Sequence, residues 1–345
     1  MTDSVALLGR EGRAAEAQGD DVGVVVIGRN EGERLRRCLD SVEGIGRHVV
    51  YVDSGSSDGS VAMAQARGIE VVALDMRAPF TAARARNAGF ERLQAVAPHC
   101  SLVQFVDGDC ELIDGWLVAA RAFIGVHRDV ACVCGRLSER FPERSIYNRL
   151  CDLEWDRPAG PTEACGGIAL MRSAVFASVG GFNPVMIAGE EPELCSRLRA
   201  QGWKIWRLPN RMAWHDADIL HFRQWWKRST RVGYAFAQAA SLPQSDAAER
   251  PYLKARVSAW VWAVVLPAAI AAACLAWGPV ALLVTLAYPL QVLRIARAGK
   301  GPWRMRMARA AFLVLGRFAE LRGQWQFWRS HRTGQGSSTR FDYKS

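Results

Sequence analysis

The 345-residue chain is 50% hydrophobic and carries 44 Lys and Arg against 34 Asp and Glu, a formal charge of +10. That balance excludes a disordered chain and suffices for one sizeable domain plus a smaller addition. From residue 294 onward twelve Lys and Arg face only Glu320 and Asp342, so the tail carries the whole surplus and residues 1–293 are neutral. A basic tail beside a neutral body argues against nucleic acid as a partner and for attraction to anionic membrane lipids. The nine cysteines show no metal-finger spacing, and their one close pair, Cys132 and Cys134, sits in an apolar run. Reduced, buried thiols in a cytosolic domain are expected.

In chain order, residues 1–20 mix Arg10, Glu11, Arg13 and Glu16 without a long apolar core, and read as a flexible leader rather than a secretory signal. The run Val22 to Ile27 is continuously apolar, as in a strand buried on both faces of a parallel sheet. Asn30 and Glu33 have capping-box spacing, and Leu35, Cys38, Leu39 and Val42 then recur at helical intervals. Strands are expected at 48–52 and 70–73, and helices at 58–67 and 81–95. Asp58 is expected to cap the first of these helices. The apolar run Leu102 to Val106 ends on Asp107-Gly108-Asp109. This alternation predicts an open, mostly parallel α/β sheet with helices on both faces and ligands at the carboxyl ends of the strands. Glu31, Asp53 and Asp107 each follow a predicted strand and so converge on one edge. Asp107 and Asp109 could make an ordinary turn, or could hold a hard cation such as Mg²⁺ or Mn²⁺, which takes oxygen ligands and leaves positions for substrate phosphates.

Further on, Cys165-Gly166-Gly167 suits tight strand packing. Glu190 and Glu191 precede Pro192, which fits the first position of a helix and makes Glu191 its N-cap. Leu194, Cys195 and Leu198 follow Glu191 at i+3, i+4 and i+7, so Glu191 heads the buried face. Capping and compensation of the helix dipole, worth about 1 kcal/mol, would account for it without chemistry.

Residues 257–277 run without a charge over roughly 31 Å of helix and read as a membrane span. Gly278-Pro279 breaks that run, and a second apolar run from Val280 to Val292 comes after it. Lys254 and Arg256 flank one side, and Arg294, Arg297 and Lys300 the other. Both flanks therefore belong to the cytoplasmic side, and 257–298 is expected to form a transmembrane hairpin or re-entrant pair. Trp303 to Trp328 mixes arginines with apolar residues like an interfacial amphipathic helix within a basic segment, 299–345.

Four segments in series, Val-Val-Ile-Gly-Arg-Asn-Glu, Val-Asp-Ser-Gly-Ser-Ser-Asp-Gly-Ser, Ala-Arg-Asn-Ala-Gly and Val-Asp-Gly-Asp, resemble a family 2 glycosyltransferase of the membrane-anchored bacterial type, over roughly residues 22–230. The resemblance implies the GT-A, nucleotide-diphospho-sugar transferase fold over residues 21–240, a linker at 241–256, and C-terminal membrane-embedded helices. It implies inverting transfer from a nucleotide-diphosphate sugar donor to a glycan or lipid-linked acceptor at the inner membrane, facing the cytoplasm. By the same resemblance Asp53 binds the base or ribose, with Gly28 and Glu31 lining that pocket. Arg86 and Asn87 lie near the diphosphate, Asp107 near the ribose or sugar, and Asp109 on the metal, Mg²⁺ or Mn²⁺. Ser54 stands where many relatives have a second Asp.

The segment around Glu190 and Glu191 resembles the family's Glu-Asp acceptor motif, with Glu191 in place of the usual Asp. Glu191 is then the expected general base and Glu190 an acceptor ligand, joined by Gly166 and Gly167. His215 is a candidate to complete the metal shell, with Asp216 or water as substitutes. Gln224, Trp225 and Arg228 echo the Gln-x-x-Arg-Trp motif of processive synthases in altered order, which does not support processivity but leaves Trp225 and Arg228 as acceptor candidates. Against this stand a nucleotidylyltransferase, whose Gly-rich basic loop is missing after the first strand, and a receiver domain, whose paired acids are not recognisable. A membrane-tethered, inactive sugar-binding scaffold is the reading from outside enzymology, and the presence of both Asp109 and Glu191 weighs against it.

Overall fold

The computed structural model describes residues 21–44, 48–242 and 252–333. The expected leader, most of the linker (243–251) and the end of the tail (334–345) lie outside them. The chain divides into two units: residues up to 185 with 190–218, and 186–189 with everything from 219 on.

The first unit is built on a nine-stranded sheet in the order β3-β2-β1-β4-β8-β6-β9-β5, with β7 beside β9. The strands are β1 (Val22–Gly28), β2 (His48–Asp53), β3 (Glu70–Ala73), β4 (Leu102–Asp107), β5 (Cys110–Leu112), β6 (Val130–Glu139), β7 (Gly160–Pro161), β8 (Ala169–Arg172) and β9 (Lys204–His215). β1 pairs in parallel with β2 and β4, and β2 with β3. β8 inserts antiparallel between β4 and β6, and β6 then runs parallel to β9. The sheet is therefore mixed in its pairing, yet β1, β2, β3, β4, β6 and β9 all point one way. Their carboxyl ends share one edge, and Gly28, Asp53, Asp107, Glu139 and His215 are the last residues of five of them.

The helices are α1 (Glu33–Val42), α2 (Ser60–Ala66), α3 (Ala82–Val96), α4 (Trp116–Val126), α5 (Ile146–Trp155), α6 (Ser173–Ser178) and α7 (Glu190–Ala200). Val24, Val25 and Val26 are fully buried, each worth about 1.5–3 kcal/mol relative to exposure. α3 lies tightly on the sheet because Gly89 has no side chain: a Cβ there would come within 2.4 Å of Val25 and 2.9 Å of Val52. Thr81 caps α3 by accepting from the Arg84 amide.

The expected capping box at Asn30 does not form. α1 begins after Gly32, whose φ of 50° suits glycine, and no side chain caps it. The Asn30 side chain instead accepts from the Ser57 amide at 2.7 Å while its own amide donates to Ser56 Oγ, which stitches the loop after β1 to the loop after β2. Asp58 sits one residue before the cap of α2 and accepts from the Ser60 amide and hydroxyl.

The second unit is helical. It holds α8 (Phe222–Ala239), α9 (Leu253–Trp260), a π-helical turn (Val261–Val265), α10 (Leu266–Trp277), a 3-10 stretch (Gly278–Leu286), α11 (Ala287–Ala298) and α12 (Trp303–Arg332). The boundary expected at residue 240 falls instead at 218/219, because α8 packs lengthwise on α12. Glycines set that contact: a Cβ on Gly233 would lie 2.0 Å from the Glu320 carbonyl, and one on Gly323 would lie 1.9 Å from that of Thr230. The segment 186–189 belongs here through the Ile187 amide, which donates to Gln238 Oε1, and the Ile187 side chain, which packs with Tyr234, Ala237 and Phe327.

The apolar stretch Leu253–Ala298 is long and apolar enough to cross a membrane, and 6% of its most apolar window is buried. The stretch is folded back: Gly278 adopts φ 74°, and Tyr288 Oη donates to the Trp262 carbonyl at 2.7 Å. In a straight helix those residues would stand about 39 Å apart at ~1.5 Å per residue. Leu275, Trp277 and Val280 at the reversal are 71–91% exposed.

Because backbone carbonyls, not flexible side-chain ends, meet the missing Cβ atoms, Gly323→Ala should destabilise the helical unit by about 3 kcal/mol, the upper range for overpacking. Thermal unfolding of the detergent-solubilised protein, followed by circular dichroism, checks this; an unchanged midpoint would contradict the packing.

Candidate active site

The carboxyl edge of the sheet presents two groups of residues. On the β1–β2 side, the Asp53 carboxylate is buried and accepts from the amides of Gly55 and Ser56, both at 2.9 Å, and from Tyr51 Oη at 3.0 Å. Asp53 thus shapes the small-residue turn after β2. The Ser54 amide donates to the Gly28 carbonyl, and Glu31 pairs with Arg34 at 3.0 Å. A Cβ on Gly28 would press on Glu31 and Tyr51 at 3.2–3.3 Å, so Gly28, Glu31 and Tyr51 lie against one another, with Asp53 on the Tyr51 hydroxyl. Burial, with the Asp53 charge next to it, pushes the Tyr51 hydroxyl pKa upward.

The second group centres on Arg86 of α3. Its guanidinium is buried and forked: Nη1 donates to Glu190 Oε1 and Nη2 to Asp107 Oδ1, each at 2.7 Å. Phe182 lies 5.5 Å below the guanidinium carbon. Asn87, expected near a diphosphate, is committed elsewhere, since both ends of its amide bond the Phe182 backbone.

Gly167 joins this group. A Cβ there would meet Arg86 Nη2 at 2.6 Å, Asp107 Oδ2 at 3.0 Å and Glu191 Oε1 at 3.3 Å. Asp107 at the end of β4 and Glu191 on α7 therefore border one narrow gap beside residue 167, which a Cβ would enter only by moving the Arg86 guanidinium. Gly166, with φ 85°, turns the chain beside it. α7 starts at Glu190, one residue earlier than expected, so Glu191 stands in the first turn instead of at the cap and Pro192 is third. The proline still fits, since the first four amides of a helix have no partner inside it.

The Glu191 carboxyl is pushed up to about 7, first by burial and then by the charge of Glu190; Arg86 opposes the shift. A carboxylate with its pKa near neutrality in a cleft suits general-base work.

A third cluster joins β5, β6 and β9. Cys110 and Glu139 both face His215 in register. His215 Nε2 lies 3.7 Å from Asp109 Oδ1, and His215 Nδ1 lies 3.8 Å from Glu139 Oε2. Trp155 meets the imidazole edge-on at 4.7 Å. Burial works against a charged imidazole, but Asp109 and Glu139 outweigh it and hold the His215 pKa above its ordinary value. Ligand atoms of Asp109, Cys110 and His215 lie within 4.8 Å of one another.

Adjacent ligands of an octahedral ion with bonds of about 2.1 Å stand about 3 Å apart, so Asp109 and His215 fit a shared cation after a small rotation. Cys110 does not suit a hard ion: it is buried, and its thiol is pushed up first by burial and then by the Asp109 charge. Asp216, the substitute ligand, is turned to Arg37 at 3.1 Å.

Glu139 is a site residue that the sequence reading does not find. It ends β6, so the strand-end rule that marks Asp53 and Asp107 reaches it only when the strand is followed beyond Cys134. Trp225 and Arg228 lie on α8 in the helical unit. Trp225, an expected acceptor ligand, is buried there with its ring 4.9 Å from Phe312, and serves packing; Arg228 is half-buried. Gln224 is spent in a capping box with His221.

A sheet with this strand order, open at a carboxyl edge lined by acids, defines a nucleotide-diphospho-sugar transferase fold of the GT-A class. Residues 23–176 match the profile of glycosyl transferase family 2. A pre-mycofactocin glycosyltransferase of Mycobacterium tuberculosis H37Rv is 28% identical over 238 residues, taking in 64% of this chain and 47% of the relative; its counterpart in strain CDC 1551 matches equally. The chain spans about half the length of these curated relatives.

Among solved structures, mannosyltransferase PcManGT of Pyrobaculum calidifontis, in complex with GDP-Man and Mn²⁺, has a TM-score of 0.60 at 19% identity over 89% of this chain and 87% of that one. Residues 1–349 of S. aureus TarS have a TM-score of 0.50 at 14% identity, over 91% and 92% of the two chains. Both share the fold.

Filling the gap at residue 167 should remove function while sparing the fold. Gly167→Ala is expected to lower donor turnover about 100-fold, the scale of a misplaced reacting group. Nucleoside-diphosphate release and circular dichroism together check this, and full activity would show that the gap is not where reactants meet.

Proposed function

We propose that this protein is a membrane-associated, inverting glycosyltransferase that moves a sugar from a nucleotide-diphosphate donor to a hydroxyl of a glycan or lipid-linked acceptor, with Glu191 as general base. The observation that carries this reading is the gap at Gly167, bordered by Asp107 at the end of β4 and by Glu191 on α7. Glu31, Asp53 and Gly28 line the pocket for the nucleotide, and Asp107 faces its sugar. As the acceptor oxygen attacks the anomeric carbon, Glu191 takes its proton; the pKa near 7 leaves a useful fraction ionised at neutral pH. Asp109 and His215 would hold Mg²⁺ or Mn²⁺, whose charge offsets that of the departing diphosphate. Glu139, behind His215, orients the imidazole.

The folded-back apolar stretch supports membrane association. Its reversal at Gly278 returns the chain toward its entry, so Lys254 and Arg256 can share one side with Arg294, Arg297 and Lys300, the pattern of an insertion from the cytoplasmic face. An apolar stretch of this kind in the same chain makes a lipid-linked acceptor the favoured substrate class.

A panel of UDP-, GDP- and dTDP-linked hexoses, with Mn²⁺ or Mg²⁺ and with EDTA, tests the chemistry through release of nucleoside diphosphate. One donor should be turned over, with loss in EDTA, in Asp109→Ala and in Glu191→Gln. Because the base must be ionised, turnover should fall as pH drops through about 7. Binding of a donor without turnover under every condition would favour the inactive scaffold. In flotation assays the chain should rise with phosphatidylcholine vesicles, and more completely when they contain phosphatidylglycerol; a chain that stays at the bottom of both gradients contradicts membrane association.

A further inference from the structure

Glu190 and Glu191 are neighbours in sequence but differ in circumstance. Glu191 is half-buried and borders the gap at Gly167, whereas the Glu190 side chain is 7% exposed and its Oε1 accepts from Arg86 Nη1 at 2.7 Å. Its Oε1 is taken up by the guanidinium, and burial leaves little of the carboxylate open to an acceptor hydroxyl. The same guanidinium reaches Asp107 through Nη2, so one rigid fork ties the first turn of α7 to the end of β4.

We propose that Glu190 is a positioning residue that, through Arg86, holds Asp107 and Glu191 at a fixed separation across Gly167, and that it does not bind acceptor. The proposal rests on the glycosyltransferase reading above. Its geometry continues one step outward. Asn87 fixes the Phe182 backbone from both sides, and the Phe182 ring supports the guanidinium plane. The consecutive residues Arg86 and Asn87 thus form one brace. Arg86 Nη2 would stand 2.6 Å from a Cβ at residue 167, so the brace itself forms a wall of the reacting gap. The charged groups facing Glu191 are Glu190 on its own helix, Arg86 from α3 and Asp107 from β4.

The test uses the full chain in detergent and hydrolysis, without acceptor, of the donor that is turned over in the panel of UDP-, GDP- and dTDP-linked hexoses. Glu190→Gln should lower turnover about 100-fold, keep nucleoside-diphosphate affinity within about 2-fold by calorimetry, and move the acidic limb of the pH profile to lower pH, since a negative neighbour of the base is gone. Arg86→Gln with Glu190→Gln should be no less active than Arg86→Gln alone, because the two act as one unit. Multiplicative losses, or a Glu190→Gln enzyme with normal hydrolysis, would overturn the proposal. An active Glu191→Gln would instead sink the underlying base assignment. Should Glu190→Gln not fold, Glu190→Asp with Arg86→Lys must show the same non-additivity.

Discussion

A buried guanidinium cannot be left without counter-charge, and Arg86 meets that constraint with two carboxylates from elements 21 and 104 residues away along the chain. Removing one partner of such a buried pair typically costs about 3–5 kcal/mol. The brace is therefore not a surface decoration: α3, the end of β4 and the start of α7 are held to one another by it. The same constraint sets the spacing of the reactive corner. Asp107 and Glu191 come to one gap because Asp107 and the neighbouring Glu190 are tied to the same cation, and residue 167 is glycine at the point where a Cβ would crowd that cation.

The crowding of like charges that results also shifts one of the carboxyls. Glu190, Glu191 and Asp107 surround a single arginine, so burial and the Glu190 charge together raise Glu191 to about 7 against the pull of Arg86. A sequence with one acid fewer here would have a stronger acid and a weaker base. On the far side of the edge, His215 experiences the opposite outcome of the same principle, with Asp109 and Glu139 favouring its charged form against burial.

Much of the sheet is legible in the sequence, because a strand buried on both faces has to be continuously apolar. Val22 to Ile27 and Leu102 to Val106 form the strands expected, and the acids at their ends fall on one edge. Local signals that depend on a single spacing fare worse. Asn30 and Glu33 have the right interval for a capping box, yet a loop 26 residues away offers Asn30 better partners in Ser56 and Ser57. Asn87 and Glu190 are ligand candidates by motif alone, and the sequence does not show that Asn87 bonds the Phe182 backbone or that Glu190 Oε1 pairs with Arg86. Trp225 is hidden for a related reason: an aromatic that packs a helix pair and one that stacks on a sugar look alike until Phe312 is placed beside it. The antiparallel insertion of β8 and the glycine-set crossing of α8 and α12 have no short-range signature at all.

A base at Glu191 requires attack across the Gly167 gap in a single displacement, with the diphosphate leaving from the opposite side. The most direct measurement is the anomeric configuration of the first-formed product, read by proton NMR from the anomeric coupling constant before mutarotation intervenes. Starting from an α-linked nucleotide sugar, a β product is expected. An α product would require a double displacement or a front-side route, and would contradict the assignment of Glu191 as the base that activates the incoming hydroxyl.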